Sequence, residues 1–148
     1  MRKGNDLVLN GNIGKVVFAR LLENEDLAES IRRHAEINGV RAGLFFLIGT
    51  LKRAALGYYR EGNYKTIMLE GPLEIASCTG NVAVDEKGEV MIHAHLVVSN
   101  ERCEAFGGHL MKGSVVGATA ELVMIQALHV TVKKVFDEKT HLKLWELG

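Results

Sequence analysis

Proline and cysteine are scarce in this chain of 148 residues: there is one proline, Pro72, and there are two cysteines, Cys78 and Cys103. Two cysteines cannot build a disulfide-rich secreted scaffold. Scarce proline beside 16 glycines speaks against disordered linkers and for tight turns or bulges. An excess of charge of either sign is also missing, since 18 Lys+Arg balance 18 Asp+Glu. That balance argues against a strongly basic nucleic-acid-binding chain. No apolar run approaches the roughly 18 residues that would suggest a membrane span. Behind Met1-Arg2-Lys3-Gly4-Asn5-Asp6, the apolar Leu7-Val8-Leu9 is broken by Asn10, Gly11 and Asn12, so the start does not read as a signal peptide. The expectation is a cytoplasmic protein with no membrane attachment and free thiols. Cys78, in an apolar-rich stretch, reads as a small core residue, and Cys103, beside Glu101, Arg102 and Glu104, as the more exposed one. What is present is 47% apolar residues on a length that fits one sizeable core, so residues 1–148 read as a single domain.

Periodicity divides the chain into one helix and a series of strands. Lys15 to Leu22 reads as a strand. Leu27, Ile31, His34 and Asn38 then line one side of a helix, with Ala28 and Ala35 beside them. Asn24 is the expected N-cap and Gly39 the expected stop. Glu25 and Asp26 at the start, and Arg32 and Arg33 nearer the end, complement the helix dipole. Leu44 to Ile48 is a continuous apolar run, as expected of a strand covered on both faces. Further strands are expected over residues 54–59, 64–70, 73–84 and 89–98, with Asp85-Glu86-Lys87-Gly88 as a hairpin loop. A polar loop is expected from Ser99 to Ser114, then two strands over 115–128 and 129–135, or one long bent strand, and a short strand or extended tail at Lys143 to Leu147. One helix and about seven strands indicate an α+β domain in which the helix packs on a mainly antiparallel sheet.

His93-Ala94-His95 is the most chemically pointed feature. On a strand the two imidazoles share a face with Met91 and Val97, while Val90, Ile92, Ala94, Leu96 and Val98 take the other. His109 follows Gly107-Gly108, two residues that let backbone come close and bring a third imidazole over the pair. Three imidazoles with an open position suit a catalytic zinc, and nickel, copper or iron also accept imidazole. The alternative is a half-buried, hydrogen-bonded pair with no metal. His34 falls on the apolar stripe of the helix and reads as a core or interface residue, and His129 and His141 have no recognisable partner. Glu74 and Glu121 each read as a surface side chain of a two-faced strand, or as a carboxylate that orients an imidazole or accepts a proton. There is no phosphate loop and no nucleophile elbow.

An ordered set of residues runs through most of the chain. It comprises Arg20-Leu21, Glu25-Asp26-Leu27 before the helix, Gly49, Ala55-Leu56-Gly57-Tyr58-Tyr59, Gly71-Pro72-Leu73-Glu74-Ile75, His93-Ala94-His95, Gly107-Gly108-His109-Leu110, Gly113, Val115, Thr119 and Glu121. From about residue 15 to residue 130 this resembles the PPC domain (plants and prokaryotes conserved) in its stand-alone prokaryotic form. The resemblance implies one helix against an antiparallel sheet, assembly as a homotrimer, and a metal site at His93, His95 and His109, most plausibly for zinc. A small-molecule ligand or hydrolytic chemistry at such a metal is left open, as is whether the chain is an enzyme. Plant relatives bind DNA through an AT-hook, an Arg-Gly-Arg-Pro type element that enters the minor groove. These 148 residues contain no such element and no basic arm longer than Arg2-Lys3, so nucleic acid is a partner by family analogy alone.

Overall fold

The computed structural model describes residues 8–146. Its elements are β1 (Asn12–Leu21), α1 (Leu27–Ile37), β2 (Gly43–Arg60), β3 (Asn63–Val84), β4 (Val90–Ser99), β5 (Ala105–Leu110), β6 (Val115–Leu128), β7 (Lys134–Asp137) and β8 (Leu142–Trp145). The first six strands form one antiparallel sheet in the order β1-β6-β2-β3-β4-β5. β5 also returns to β2, through Leu56↔Leu110 and Gly57↔His109. The β2-β3-β4-β5 ring therefore closes like a barrel, and β6 and β1 extend it as a wing. β7 and β8 form a separate hairpin.

The expected α+β arrangement holds in outline, with corrections. The structure is mostly sheet, and α1 is a single cover on a ring rather than one layer of two. Residues 44–48 and 54–59 are parts of one strand, β2, and residues 64–70 and 73–84 are joined in β3. The expected loop from Ser99 to Ser114 contains β5. No strand fills residues 129–133, and Leu147 lies outside the described residues.

Closure of the ring depends on glycine where β5 meets β2. A Cβ at Gly108 would stand 2.9 Å from the Gly57 carbonyl oxygen and 3.2 Å from Leu56 Cβ. A Cβ at Gly57 would meet Met111 Sδ at 2.8 Å and the Tyr64 ring at 2.9 Å. Larger residues would hold the strands apart.

The core is the side of the sheet facing α1: Leu27, Ile31 and Ala35 from the helix meet Leu47, Leu96, Val98, Leu122 and their neighbours. Cys78 is buried among them, and burial pushes its thiol up to about 12, so it is inert packing. Cys103 is exposed, as expected. The N-cap is Asp26 rather than Asn24. Glu29 N–H donates to Asp26 Oδ1 at 3.0 Å, and Gly113 N–H donates to Oδ2 at 2.7 Å. Asn24 instead takes a left-handed conformation (φ 70°) and accepts from Lys52 Nζ. Asp26 thus ties the helix start to the turn that follows β5. Gly39 follows the helix with φ +63°, the left-handed stop its position predicts.

Leu44 to Ile48 is covered on one face only. Phe45 and Leu47 are buried, but Leu44, Phe46 and Ile48 are 49%, 44% and 58% exposed. Through β6 they align with β1: Phe18, Val123 and Phe46 lie on one rung, and Val16, Ile125 and Leu44 on the next. Phe18 is 78% exposed. The wing carries an uncovered apolar face. Among the described residues no helix is long and apolar enough to cross a membrane.

Candidate metal centre

β4 alternates as its sequence requires: Val90, Ala94, Leu96 and Val98 are buried toward the core, and His93 and His95 project from the opposite face. β5 brings the third imidazole. His95 pairs directly with His109, which pairs in turn with Gly57 of β2. Thr79, His95, His109 and Gly57 therefore form one rung across β3, β4, β5 and β2. His109 comes from a strand, and Gly107 and Gly108 act through close packing rather than as a flexible hinge. The missing side chain of Gly57 leaves room for the Tyr64 ring, which stacks on His109 at 4.7 Å and 29°.

One nitrogen from each of His93, His95 and His109 lies within 4.8 Å of the others. Ring centroids are 5.3 Å (His93–His95), 5.2 Å (His93–His109) and 5.7 Å (His95–His109) apart. Nitrogens on one tetrahedral zinc stand roughly 3.3 Å apart, so modest side-chain rotation closes the set. His109 Nδ1 is buried with no hydrogen-bond partner. An orphaned buried nitrogen inside a cluster of imidazoles is what an ion site looks like without its ion.

The electrostatics keep the lone pairs available. Burial pushes His109 down to about 4, with His93, His95 and Lys134 adding to the effect. His93 is lowered for the same first reason, and then by Lys134 and His95. Neutral imidazole is the metal-binding form, and at His109 it persists well below neutral pH.

The β7–β8 hairpin stands over one side of the cluster. It is fastened by Val84 N–H donating to Val132 O at 3.0 Å, by Phe136 N–H donating to Glu86 Oε1 at 3.2 Å, and by the Tyr59 hydroxyl donating to Thr140 O. Between hairpin and sheet lies a cleft of about 660 Å³, lined by His93, His109, Tyr64, Asn81, Lys134 and Trp145 among others. Lys134 is buried, 5% exposed, and burial lowers its ammonium pKa. Neither Asn81 nor Lys134 stands out in the sequence. A signal for Lys134 exists: in Val130-Thr131-Val132-Lys133-Lys134 it is in phase with the two valines rather than with Thr131 and Lys133.

The other histidines stay apart from the cluster. His34 is part-buried on α1, His129 is exposed, and exposed His141 reaches the cleft but not the three-imidazole set. Glu74 and Glu121 are exposed on their strands and do not join the set.

A ring-closed sheet with one covering helix and three convergent imidazoles defines a class of protein, and comparison with known proteins assigns it. The chain belongs to the Plants and Prokaryotes Conserved (PCC) domain family, whose pattern matches residues 8–128. Two solved structures are similar over nearly the whole chain, each with a TM-score of 0.87. A metal-containing protein from Archaeoglobus fulgidus is 30% identical, with 96% of this chain and 100% of that one covered. A plant- and prokaryote-conserved protein from Pyrococcus horikoshii is 32% identical, with 97% and 99% covered. A curated relative from Synechococcus, bifunctional protein GlmU, is 29% identical over 127 residues, 85% of this chain; the chain spans 19% of that protein's length. The β7–β8 hairpin and Lys134 lie beyond the family match.

Proposed function

We propose that the chain is a one-domain, cytoplasmic, self-associating metal-binding protein: a homotrimer that holds zinc through His93, His95 and His109. The observation that carries the metal is the convergence of three imidazole nitrogens within 4.8 Å. The orphaned His109 Nδ1 and the similar metal-containing protein from Archaeoglobus fulgidus support it. A zinc ion on three imidazoles supplies an open position at which water or a ligand oxygen is polarised. The apolar rungs of β1, β6 and β2 supply a surface for self-association, and the trimeric number comes from the family resemblance. DNA binding has no Arg-Gly-Arg-Pro element and no large Lys/Arg cluster in these residues to rest on, and it is not part of the proposal.

Elemental analysis joined to native mass measurement tests this. Protein purified without chelator is expected to carry about one zinc per subunit. The His93→Ala, His95→Ala double variant is expected to lose it while keeping its mass. Equal metal in both proteins would overturn the site.

A further inference from the structure

The cleft beside the three histidines contains two polar groups that the metal does not account for. Lys134 is buried on β7 and lines the same cleft as His93 and His109. It forms an ion pair with no carboxylate among the described residues, in contrast to neighbouring Lys133, which pairs with Glu146, and Lys143, which pairs with Asp85. A buried ammonium beside imidazoles is electrostatically unfavourable for a dication alone, and burial without a counter-charge costs free energy. Both penalties are offset if an anion enters the cleft. The second group is Asn81, opposite His93 on β3. The residue is part of the cleft wall, and its Oδ1 is buried and accepts no hydrogen bond among the described residues. An orphaned carbonyl oxygen calls for a donor.

We propose that this cleft binds a small hydroxy-carboxylate. The carboxylate is held by the Lys134 ammonium, the hydroxyl donates to Asn81 Oδ1, and the ligand lies against the three-histidine metal. This deepens the metal reading and rests on it. Each part of the ligand answers one observation: the anion answers the unpaired buried cation, and the hydroxyl answers the orphaned acceptor. The Tyr64 and Trp145 rings add apolar surface to the cleft wall. The hairpin that brings Lys134 lies outside residues 8–128, beyond the residues that the family pattern matches.

Calorimetric titration of the zinc-loaded protein with glycolate tests the inference, with acetate and inorganic phosphate as comparison probes. Glycolate is expected to bind, acetate to bind about tenfold more weakly because Asn81 keeps its orphan, and phosphate not to exceed glycolate. Lys134→Met is expected to weaken glycolate about tenfold or more, a charge-assisted bond being lost, with Lys134→Arg keeping most of the affinity. Zinc affinity itself should hold or tighten in Lys134→Met, because a repelling cation is gone. Asn81→Ala should bring glycolate down to the acetate level. No glycolate binding to a zinc-loaded wild type overturns the inference and leaves the metal reading standing, as does unchanged binding in Lys134→Met. Phosphate binding more tightly than glycolate, or acetate equal to it, overturns the assignment of ligand class. A wild type that takes up no zinc overturns the metal reading separately.

Discussion

Lowering the pH of the metal-free protein should destabilise it through His109, and the size of the effect follows from the site. An imidazole in the unfolded chain titrates near 6.5, whereas burial, His93, His95 and Lys134 hold folded His109 at about 4. Between those values the unfolded chain binds a proton that the folded protein refuses, so stability falls as pH falls and levels off below about 4. Taken whole, the shift corresponds to about 3.4 kcal/mol, at about 1.36 kcal/mol per unit. His109 is only half-buried, and solvent screening reduces this to roughly half. The expected loss is therefore about 1 kcal/mol by pH 5 and about 1.5 kcal/mol by pH 4. For a chain of this length, each kcal/mol moves the melting temperature by roughly 3 °C. Other groups titrate across the same range, so the assay is a difference. Urea unfolding of wild type and His109→Gln is measured at fixed protein concentration from pH 7.5 to 4, with chelator present. The gap between the two curves should shift by about 1.5 kcal/mol, with wild type losing more. Parallel curves would refute the burial argument for His109.

Two further predictions concern the scaffold. Asp26→Ala removes the acceptor of both Glu29 N–H and Gly113 N–H, and should cost about 2 kcal/mol by urea unfolding: about 1 for the cap and about 1 for the unsatisfied amide. A loss below about 0.5 kcal/mol would mean that water replaces both bonds. Phe46→Glu places a charge at the centre of the Phe18–Val123–Phe46 rung, on the same outer face as the histidines but with β3 between it and His95. It should yield monomers by light scattering with zinc content unchanged, and an unaltered oligomer mass would move the self-association surface elsewhere.

What was legible in the sequence was what local pattern controls. The alternation of Val90 to Val98 placed His93 and His95 on one face, and the 3.6-residue stripe of Leu27, Ile31 and Ala35 placed the helix. By local pattern alone Asn24, three residues before Leu27, is as suitable a cap as Asp26. The choice was made by Gly113, 87 residues away, whose N–H takes the second oxygen of Asp26. β5 was hidden for the same kind of reason. Ala105-Phe106-Gly107-Gly108 has little intrinsic strand preference, and it becomes a strand because β4 pairs along it, while β2 pairs with His109 and Leu110 that follow. The two glycines pointed correctly to a close approach at His109, yet the approach is to Gly57, a pairing no local pattern announces.

Leu44 to Ile48 shows the converse limit. Alternation would have marked a solvent-facing side, but a continuous apolar run marks only that both faces avoid water, not what covers each. One face is covered by the core, and the other is left open among the described residues. An apolar run read as doubly buried, and then found half open, is thus an argument for a partner surface rather than a failed strand assignment. Lys134 carries the same logic in polar form. It is in phase with Val130 and Val132, buried as that phase requires, and among the described residues it lacks the carboxylate that a buried lysine ordinarily has. In both places the folded chain follows the residue pattern and leaves a group uncompleted among the described residues, which is the ground for the proposed second subunit on the wing and the proposed anion in the cleft.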